Sequence, residues 1–245
     1  DYEAERSRIL SPAELLELHN RFQQMTADYD ALPAGQKYDG IRPLKKETQL
    51  ALWISLGTLC RIGELLQAEW KNIDVLVNNA GNAHGMSAIQ DGDVADWDAM
   101  MASNVTGLLY VSKEVIKGMV ERKSGHIINL SSIAGKQTYP NGNVYCASKA
   151  AVEALSAGMR QDLNPFGIKV SNVAPGAVAT EFSEVRFKGD QAKAEAVYAG
   201  YEPLVAEDVA DLIRYIVAAP AHVNIADVTI LPTAQASAFQ ILRKN

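Results

Sequence analysis

The sequence predicts an α/β protein, in which an open parallel sheet follows a helical N-terminal segment. Apolar strands and long helices alternate from residue 74 onward, a pattern typical of a parallel sheet covered by helices on both faces. Residues 8–70 instead carry apolar side chains at helical spacing, with no convincing strand. The chain has 245 residues, of which 48% are hydrophobic and 21% charged, so it can build a sizeable core.

The N-terminal part, residues 1–73, is predicted to be helical. Residues 11–14 (Ser-Pro-Ala-Glu) place a cap residue, a proline and a glutamate before a leucine-rich run, which is a typical helix start. Proline and glycine residues over 31–42 predict a loop. Apolar residues over 47–70 predict one or two further helices, and we expect these to cover the open edge of the first strand.

The second part, residues 74–245, alternates strand and helix. The predicted strands are 74–78, 126–131, 168–174 and 228–231, and the predicted helices are 97–122, 144–163 and 207–218. Residues 182–201 are rich in Gly, Lys and Glu. They are either a lid over an active site or a solvated excursion.

Composition and charge exclude several classes of protein. The net charge of −6 and the pI near 5.3 argue against nucleic-acid or membrane-surface binding. No apolar run approaches the roughly 20 residues of a membrane helix, and the polar start does not resemble a signal peptide. Cys60 and Cys146 cannot make a disulfide framework, and the four histidines lack metal-ligand spacing. We therefore expect a cytoplasmic protein with no metal site.

A tyrosine and a lysine four residues apart, Tyr145 and Lys149, are the first candidates for chemistry. In a helix, both side chains project from one face. An ammonium beside a phenol favours the phenolate and brings its pKa from about 10 toward working pH, as proton transfer requires. Such pairs also occur by chance on helix surfaces, so this pair alone does not identify a site.

Three further candidates directly follow predicted strands, where ligands bind in open parallel sheets. Ser132 ends an Asn-Leu-Ser-Ser run; it can orient a carbonyl oxygen, or it can cap the next turn. Asn79, Ala80 and Gly81 are small enough to let a ligand approach closely. Residues 175–180 follow the third strand. Each segment is also compatible with an ordinary turn.

In their shared order and spacing, these residues resemble the short-chain dehydrogenase/reductase family over about residues 73–235, with Asn104 in the intervening helix. The resemblance implies a Rossmann-like parallel sheet. Residues 185–190, 203–209 and 220–225 are similar to the NADP-dependent 3-hydroxy acid dehydrogenase branch. Members of that branch oxidise small hydroxy acids such as serine or 3-hydroxypropionate-type compounds. The implied activity is hydride transfer between NADP(H) and a small hydroxy acid or semialdehyde.

The resemblance also implies a role for each residue. Tyr145 exchanges the proton at the substrate oxygen, and Lys149 lowers the pKa of Tyr145 and binds the nicotinamide ribose. Ser132 holds the substrate oxygen, and Asn104 organises a relay water. The implied cofactor contacts are Asn79, Ala80, Gly81, Tyr145, Lys149, Pro175, Gly176, Val178 and Thr180.

Two further expectations concern the substrate and the assembly. Arg186 is our candidate partner for a substrate carboxylate, because a guanidinium can form a bidentate pair; the sequence is equally compatible with a solvated surface arginine. If helices 98–122 and 145–163 pack as in the family, the chain forms a dimer or tetramer.

The glycine-rich turn that binds the cofactor pyrophosphate in that family has no counterpart in residues 1–73. Their glycines, which are Gly35, Gly40, Gly57 and Gly63, lack the TGxxxGxG-type spacing. Such a turn places backbone amides and a helix N-terminus against the pyrophosphate. We therefore expect NADP binding to be weak or absent.

Residues 8–74 instead resemble the start of the catalytic domain of phage-type tyrosine recombinases (integrases). Arg61 and Glu64 match the phosphate-binding arginine and the supporting glutamate of that family. No histidine is followed three residues later by an arginine, so the second phosphate-neutralising pair is missing. The sequence indicates a chimera whose leading function is that of a dehydrogenase with a compromised cofactor site. A recombinase fragment with a DNA-related role, which the acidic charge disfavours, and a catalytically silent α/β protein remain as alternatives.

Overall fold

The sheet of this computed structural model, which describes residues 72–244, has four parallel strands in the order β1-β2-β3-β4. The strands are β1 Val75–Asn78, β2 His126–Leu130, β3 Lys169–Pro175 and β4 Asp227–Ile230. Each agrees with its predicted counterpart to within one residue at either end. The predicted helices within 8–70, the loop at 31–42 and the covering of the β1 edge lie outside the described residues, as do Arg61 and Glu64.

The helices connect the strands and flank the sheet. They are α1 Val94–Met101, α2 Leu108–Arg122, α3 Ile133–Lys136, α4 Asn143–Leu163, α5 Phe182–Arg186, α6 Gln191–Tyr198 and α7 Ala206–Ala218. A π-helical turn, Ala102–Gly107, joins α1 directly to α2. The sequence predicts one helix over 97–122. The structure begins it earlier, because the Asp93 side chain accepts a hydrogen bond of 2.9 Å from the Ala95 backbone N–H and caps the first turn.

Both faces of the sheet are covered, as the alternation of strands and helices predicts. Successive residues of a strand point to opposite faces. Ile127 of β2 packs in one buried cluster with Val115 of α2 and Leu163 of α4. The next residue, Ile128, packs in another with Ile216 of α7. Helices α2 and α4 therefore cover one face, and α7 covers the other.

The position of α7 gives the last crossover an unusual hand. The strands follow one another across the sheet in chain order, so three crossovers of the same hand would place all three connecting helices on one face. Because α7 lies on the other face, the β3–α7–β4 crossover is opposite in hand to those through α2 and α4. About 98% of such connections are right-handed. Residues 176–205 carry the chain over the carboxyl edge of the sheet to that face.

A row of polar side chains crosses the sheet just before this carboxyl edge. Asn78, Asn129, Asn172 and Asp227 are in register on the four strands. The Asn78 side chain donates to Asn129 Oδ1 at 2.8 Å, and the Asn172 side chain donates to Asp227 Oδ2 at 3.2 Å. Ser156 of α4 accepts from Asn129 at 2.9 Å. These bonds fix the strand register beneath the candidate site.

Residues 182–201, predicted to be either a lid or a solvated excursion, pack on the loop after β1 and on α1. The Gly85 N–H donates to the Arg186 backbone carbonyl at 2.9 Å. Lys188 Nζ lies 2.9 Å from Asp96 Oδ1 of α1. The segment is thus attached to the loop after β1 and to α1. Its opening as a lid stays a prediction.

Within residues 72–244, no helix combines the length and apolar composition needed to cross a membrane. The same residues contain no group of three or more His, Cys, Asp or Glu side chains placed to hold a metal ion.

Candidate active site

Tyr145 and Lys149 lie in the first two turns of α4, beside the carboxyl ends of β2 and β3. Both side chains are buried, with 8% and 6% of their surface exposed. The Lys149 Nζ is 6.0 Å from the centre of the Tyr145 ring. The helix therefore brings the two groups together as their spacing predicts.

Burial dominates the titration of Tyr145. Removal from water raises the pKa of Tyr145, and the neighbouring Tyr139 raises it further. A hydrogen bond with Ser132 and the charge of Arg186 act in the opposite direction. The groups that favour the phenolate in this structure are thus Ser132 and Arg186, whereas the resemblance assigned that effect to Lys149. The phenol is held in its protonated, proton-donating form.

Lys149 is held in the wall of the site by one hydrogen bond to the end of β2. Its Nζ donates to the Leu130 carbonyl at 3.0 Å. Burial lowers the pKa of Lys149 to about 8. An ammonium has three N–H donors. Within the described structure one of them bonds the Leu130 carbonyl, which leaves two donors for a ligand.

Ser132 takes the capping role that the sequence allows, and its hydroxyl also lies beside Tyr145. Its Oγ accepts from the Ala134 N–H at 3.1 Å and caps α3. The same hydroxyl hydrogen-bonds Tyr145 and approaches the Pro175 carbonyl at 3.3 Å. The cap therefore fixes the hydroxyl beside the phenol.

Asn104 lies in the π turn between α1 and α2 and is almost fully buried. Its Nδ2 donates to the Asn82 carbonyl and to Ser148 Oγ, each at 2.9 Å. Its Oδ1 accepts from the Asn82 N–H at 2.8 Å and from Ser103 Oγ at 3.0 Å. Both amide hydrogens are engaged, so the Asn104 side chain has no donor left for the relay water that the resemblance implies. The π turn and Asn82 are not evident from the sequence pattern.

The segment after β1 needs glycine at position 81. A Cβ there would lie 2.9 Å from Asn104 Oδ1 and 3.3 Å from Lys149 Nζ. Asn79 and Ala80, the other predicted cofactor contacts of this segment, are exposed. Gly81 thus lets the backbone of this segment pass close to Asn104 and Lys149, in addition to leaving room for a ligand.

The C-terminal segment holds the loop after β3, which contains the predicted contacts Gly176, Val178 and Thr180; the predicted contact Pro175 is the last residue of β3. Gln235 Oε1 accepts from the Ala177 N–H at 2.9 Å. A Cβ on Gly176 would come within 2.2 Å of the same oxygen, so only glycine fits there. The role of Gln235 could not be predicted from the sequence, because its contact joins residues 58 positions apart and no local pattern marks it.

Arg186, at the end of α5, is brought into the site and is not a solvated surface arginine. Its Nη1 donates to the Tyr139 hydroxyl at 2.9 Å, and its Nε donates to the Gly85 carbonyl at 3.3 Å. The guanidinium carbon lies 5.5 Å from the centre of the Tyr145 ring. The Arg186 Nη2 is buried and has no hydrogen-bond partner within the described structure. Tyr139 was also missed, since the sequence gives no signal for it.

A cleft that opens to solvent lies between the loop after β1, α1 and the start of α4. Tyr145 and Arg186 line it together with His84, Asn143 and Met100. Burial lowers the pKa of His84, against the opposing charge of Asp96. The cleft thus combines a proton donor, a cation and a largely neutral imidazole.

Sequence comparisons relate this chain to dehydrogenases. The model of the short chain dehydrogenase family matches residues 60–191. The chain is 42% identical over 217 residues to the NADP-dependent 3-hydroxy acid dehydrogenase YdfG of Escherichia coli strain K12, covering 86% of this chain and 88% of that protein. It is 45% identical over 184 residues to sulfoacetaldehyde reductase 2 of Chromohalobacter salexigens, covering 74% of this chain and 73% of that protein.

Structural comparison points to the same group. The closed form of serine dehydrogenase complexed with NADP+ superposes with a TM-score of 0.68 at 45% identity, covering 73% of this chain and 72% of that one. Serine dehydrogenase from Escherichia coli superposes with a TM-score of 0.59 at 39% identity, covering 71% and 72%. The family match begins at residue 60 and so includes Arg61 and Glu64. The recombinase resemblance of residues 8–74 stays a prediction.

Proposed function

Because this chain belongs to the short-chain dehydrogenase family, we propose that it transfers a hydride between NADP(H) and a small hydroxy acid or the corresponding semialdehyde. The observation that carries the proposal is the cluster of Tyr145, Ser132 and Lys149 at the carboxyl edge of the sheet, with Arg186 beside it. The names of the relatives, which are NADP-dependent hydroxy acid dehydrogenases and an aldehyde reductase, support the same substrate class.

The described residues fit the nicotinamide end of such a cofactor. Gly81 leaves open the space that a Cβ would fill beside Lys149, and Lys149 has donors to spare for ribose hydroxyls. We assign the cofactor contacts to Asn79, Lys149 and the loop containing Val178 and Thr180. The bound cofactor would supply or accept the hydride.

The protein supplies proton transfer and orientation. In the reductive direction, the Tyr145 hydroxyl donates its proton to the substrate carbonyl oxygen, and the protonated state that burial enforces suits this role. The Ser132 hydroxyl, bonded to the same phenol, holds that oxygen in place. The charge of Arg186, which favours the ionised phenol, stabilises the negative charge that remains on Tyr145 after transfer.

Arg186 gives the site its preference for an acid. Its Nη2 is a buried donor of a positively charged group that lacks a partner within the described structure. Such a donor gains most from an anionic acceptor. A carboxylate a few bonds from the reacting carbon would place its oxygen on Nη2 while the carbinol oxygen lies at Tyr145.

We also propose that the pyrophosphate end is bound weakly, because no glycine-rich turn of the usual spacing occurs in residues 1–73. A dimer or tetramer built through α2 remains part of the proposal. Leu109 and Tyr110, which are exposed on that helix, would be covered in it, and light scattering measures its mass.

Oxidation of NADPH by semialdehydes of small hydroxy acids tests the proposal. Tyr145→Phe should abolish turnover and preserve the fold, because it removes only the titrating hydroxyl. Tyr215→Phe, at a tyrosine with 69% of its surface exposed, is the matched control and should retain turnover. Equal turnover in wild type and Tyr145→Phe would refute the assignment of the proton donor.

A further inference from the structure

Tyr139 lies in the loop between α3 and α4 and contacts Arg186, the proposed partner of the substrate carboxylate. The proposed function gives Tyr139 itself no role. We propose that Tyr139 is a positioning residue that orients the Arg186 guanidinium, so that Nη2 receives an anionic group of the substrate. The inference rests on the proposed function and adds the residue that makes the site selective for acids over neutral analogues.

The hydrogen bonds of Arg186 support this orientation. Tyr139 takes a hydrogen of Nη1 at 2.9 Å, and the Gly85 carbonyl takes the hydrogen of Nε at 3.3 Å. A guanidinium is planar and carries its five donors in a fixed fork. Once two of its nitrogens are bonded, the direction of the third, Nη2, is determined.

The packing around the guanidinium restricts it further. Its carbon lies 5.6 Å from the centre of the Tyr139 ring and 5.5 Å from that of Tyr145, distances at which a cation is attracted by an aromatic face. The Gly85 N–H also donates back to the Arg186 carbonyl at 2.9 Å. Gly85 adopts a φ of 65°, a conformation that favours glycine. Hydrogen bonds to both the side chain and the backbone carbonyl of Arg186 therefore fix its position.

Selectivity follows from the state of Nη2. A buried charged donor without an acceptor carries its full desolvation cost, which an anion offsets better than a neutral carbonyl does. Loss of the Tyr139 hydroxyl would leave Nη1 unbonded as well and release the fork from its fixed orientation. Binding of an acid should then weaken, whereas binding of a neutral analogue, which does not need the fork, should not.

Tyr139 also has a packing role that the test must separate from positioning. Its ring lies against Gly142, where a Cβ would come within 2.1 Å of it, and it joins the buried cluster around Met100 and Cys146. Tyr139→Phe retains this ring and removes only the hydroxyl. Arg186→Lys retains the charge and removes the fork.

The experiment is calorimetric titration of the full chain with 3-hydroxypropionate and, separately, with its neutral amide. Wild type should bind the acid in preference to the amide. Tyr139→Phe should weaken acid binding about tenfold and leave amide binding unchanged, and Arg186→Lys should remove the preference. Tyr215→Phe and Arg214→Lys, at two exposed side chains, are matched controls that should behave as wild type.

Three results would overturn the inference: no binding of the acid by wild type, unchanged acid binding in Tyr139→Phe, or an equal loss of acid and amide binding in that variant. The titrations need no cofactor, so they are independent of the turnover assay. Preference for the acid without any turnover would support this inference and contradict the oxidoreductase proposal. Turnover without that preference would contradict this inference alone.

Discussion

Acid should destabilise this fold through one buried histidine, His126, at the start of β2. Its side chain is only 4% exposed. The Nε2 lies 2.8 Å from Ser171 Oγ, and the Nδ1 is buried without a hydrogen-bond partner within the described structure. Burial, aided by the charge of Lys169, lowers the pKa of His126 from 6.5 to about 4.

The sign and size of the effect follow from these two pKa values. Between pH 6.5 and about 4, the unfolded chain binds a proton at this histidine and the folded chain does not. The free energy of unfolding therefore falls as the pH falls through this window. The difference between the two pKa values of His126 corresponds to about 3 kcal/mol of unfolding free energy, at about 1.36 kcal/mol per pKa unit. The contribution is fully present above pH 6.5, and no further loss occurs below about pH 4.

Urea unfolding at several pH values between 7 and 4 measures this contribution. His126→Gln removes the titrating ring, so its free energy of unfolding should decrease by about 3 kcal/mol less than that of wild type over the window. His222→Gln, at an exposed histidine, is the control and should follow wild type. Parallel plots of unfolding free energy against pH for wild type and His126→Gln would refute the reasoning. An NMR titration that gives His126 a pKa near 6.5 in the folded protein would refute it as well.

Three further predictions concern the site. Gly81→Ala should lower turnover at least tenfold while the far-ultraviolet circular dichroism is kept, because its Cβ would displace Asn104 and Lys149; unchanged turnover would show that the close approach is unimportant. Turnover that needs the Lys149 ammonium should fall as the pH rises through about 8, because burial lowers the pKa of Lys149 to that value. The variant Lys149→Arg stays charged, so its turnover should show no such fall near pH 8. Calorimetric titration with NADPH should give binding too weak to saturate, since two lost hydrogen bonds to the pyrophosphate cost about 3–6 kcal/mol; a micromolar Kd would contradict this.

Local signals were sufficient to predict the four strands and the long helical segments 97–122, 144–163 and 207–218, but not the short helices α3, α5 and α6. Strand β1, for example, is a short apolar run that ends in the polar Asn78, so the sequence marks its carboxyl end. The start of α1 differs from the prediction because a single side chain, Asp93, caps the helix before its first apolar residue. The in-register row of Asn78, Asn129 and Asn172 depends on strand pairing, which no single strand reveals.

The residues of the candidate site also divide into those that a local sequence pattern marks and those that it does not. Tyr145, Lys149 and Ser132 could be found because they lie at fixed spacing within one helix or directly after one strand. Tyr139 and Gln235 could not, because their hydrogen bonds join residues 47 and 58 positions apart. Arg186 was ambiguous in sequence, and only the contact of α5 with Gly85 shows that its guanidinium lies in the site with Nη2 buried.

The crossing of residues 176–205 over the edge of the sheet bears on how this protein can be re-engineered. This connection carries Arg186 and Lys188, whereas Tyr145 and Ser132 belong to the rigid layers beneath it. Lengthening a surface connection costs only about 0.6 kcal/mol for each doubling of its length. Exchanging this segment for one of different length and charge should therefore change substrate choice while leaving the proton-transfer groups and strand register in place.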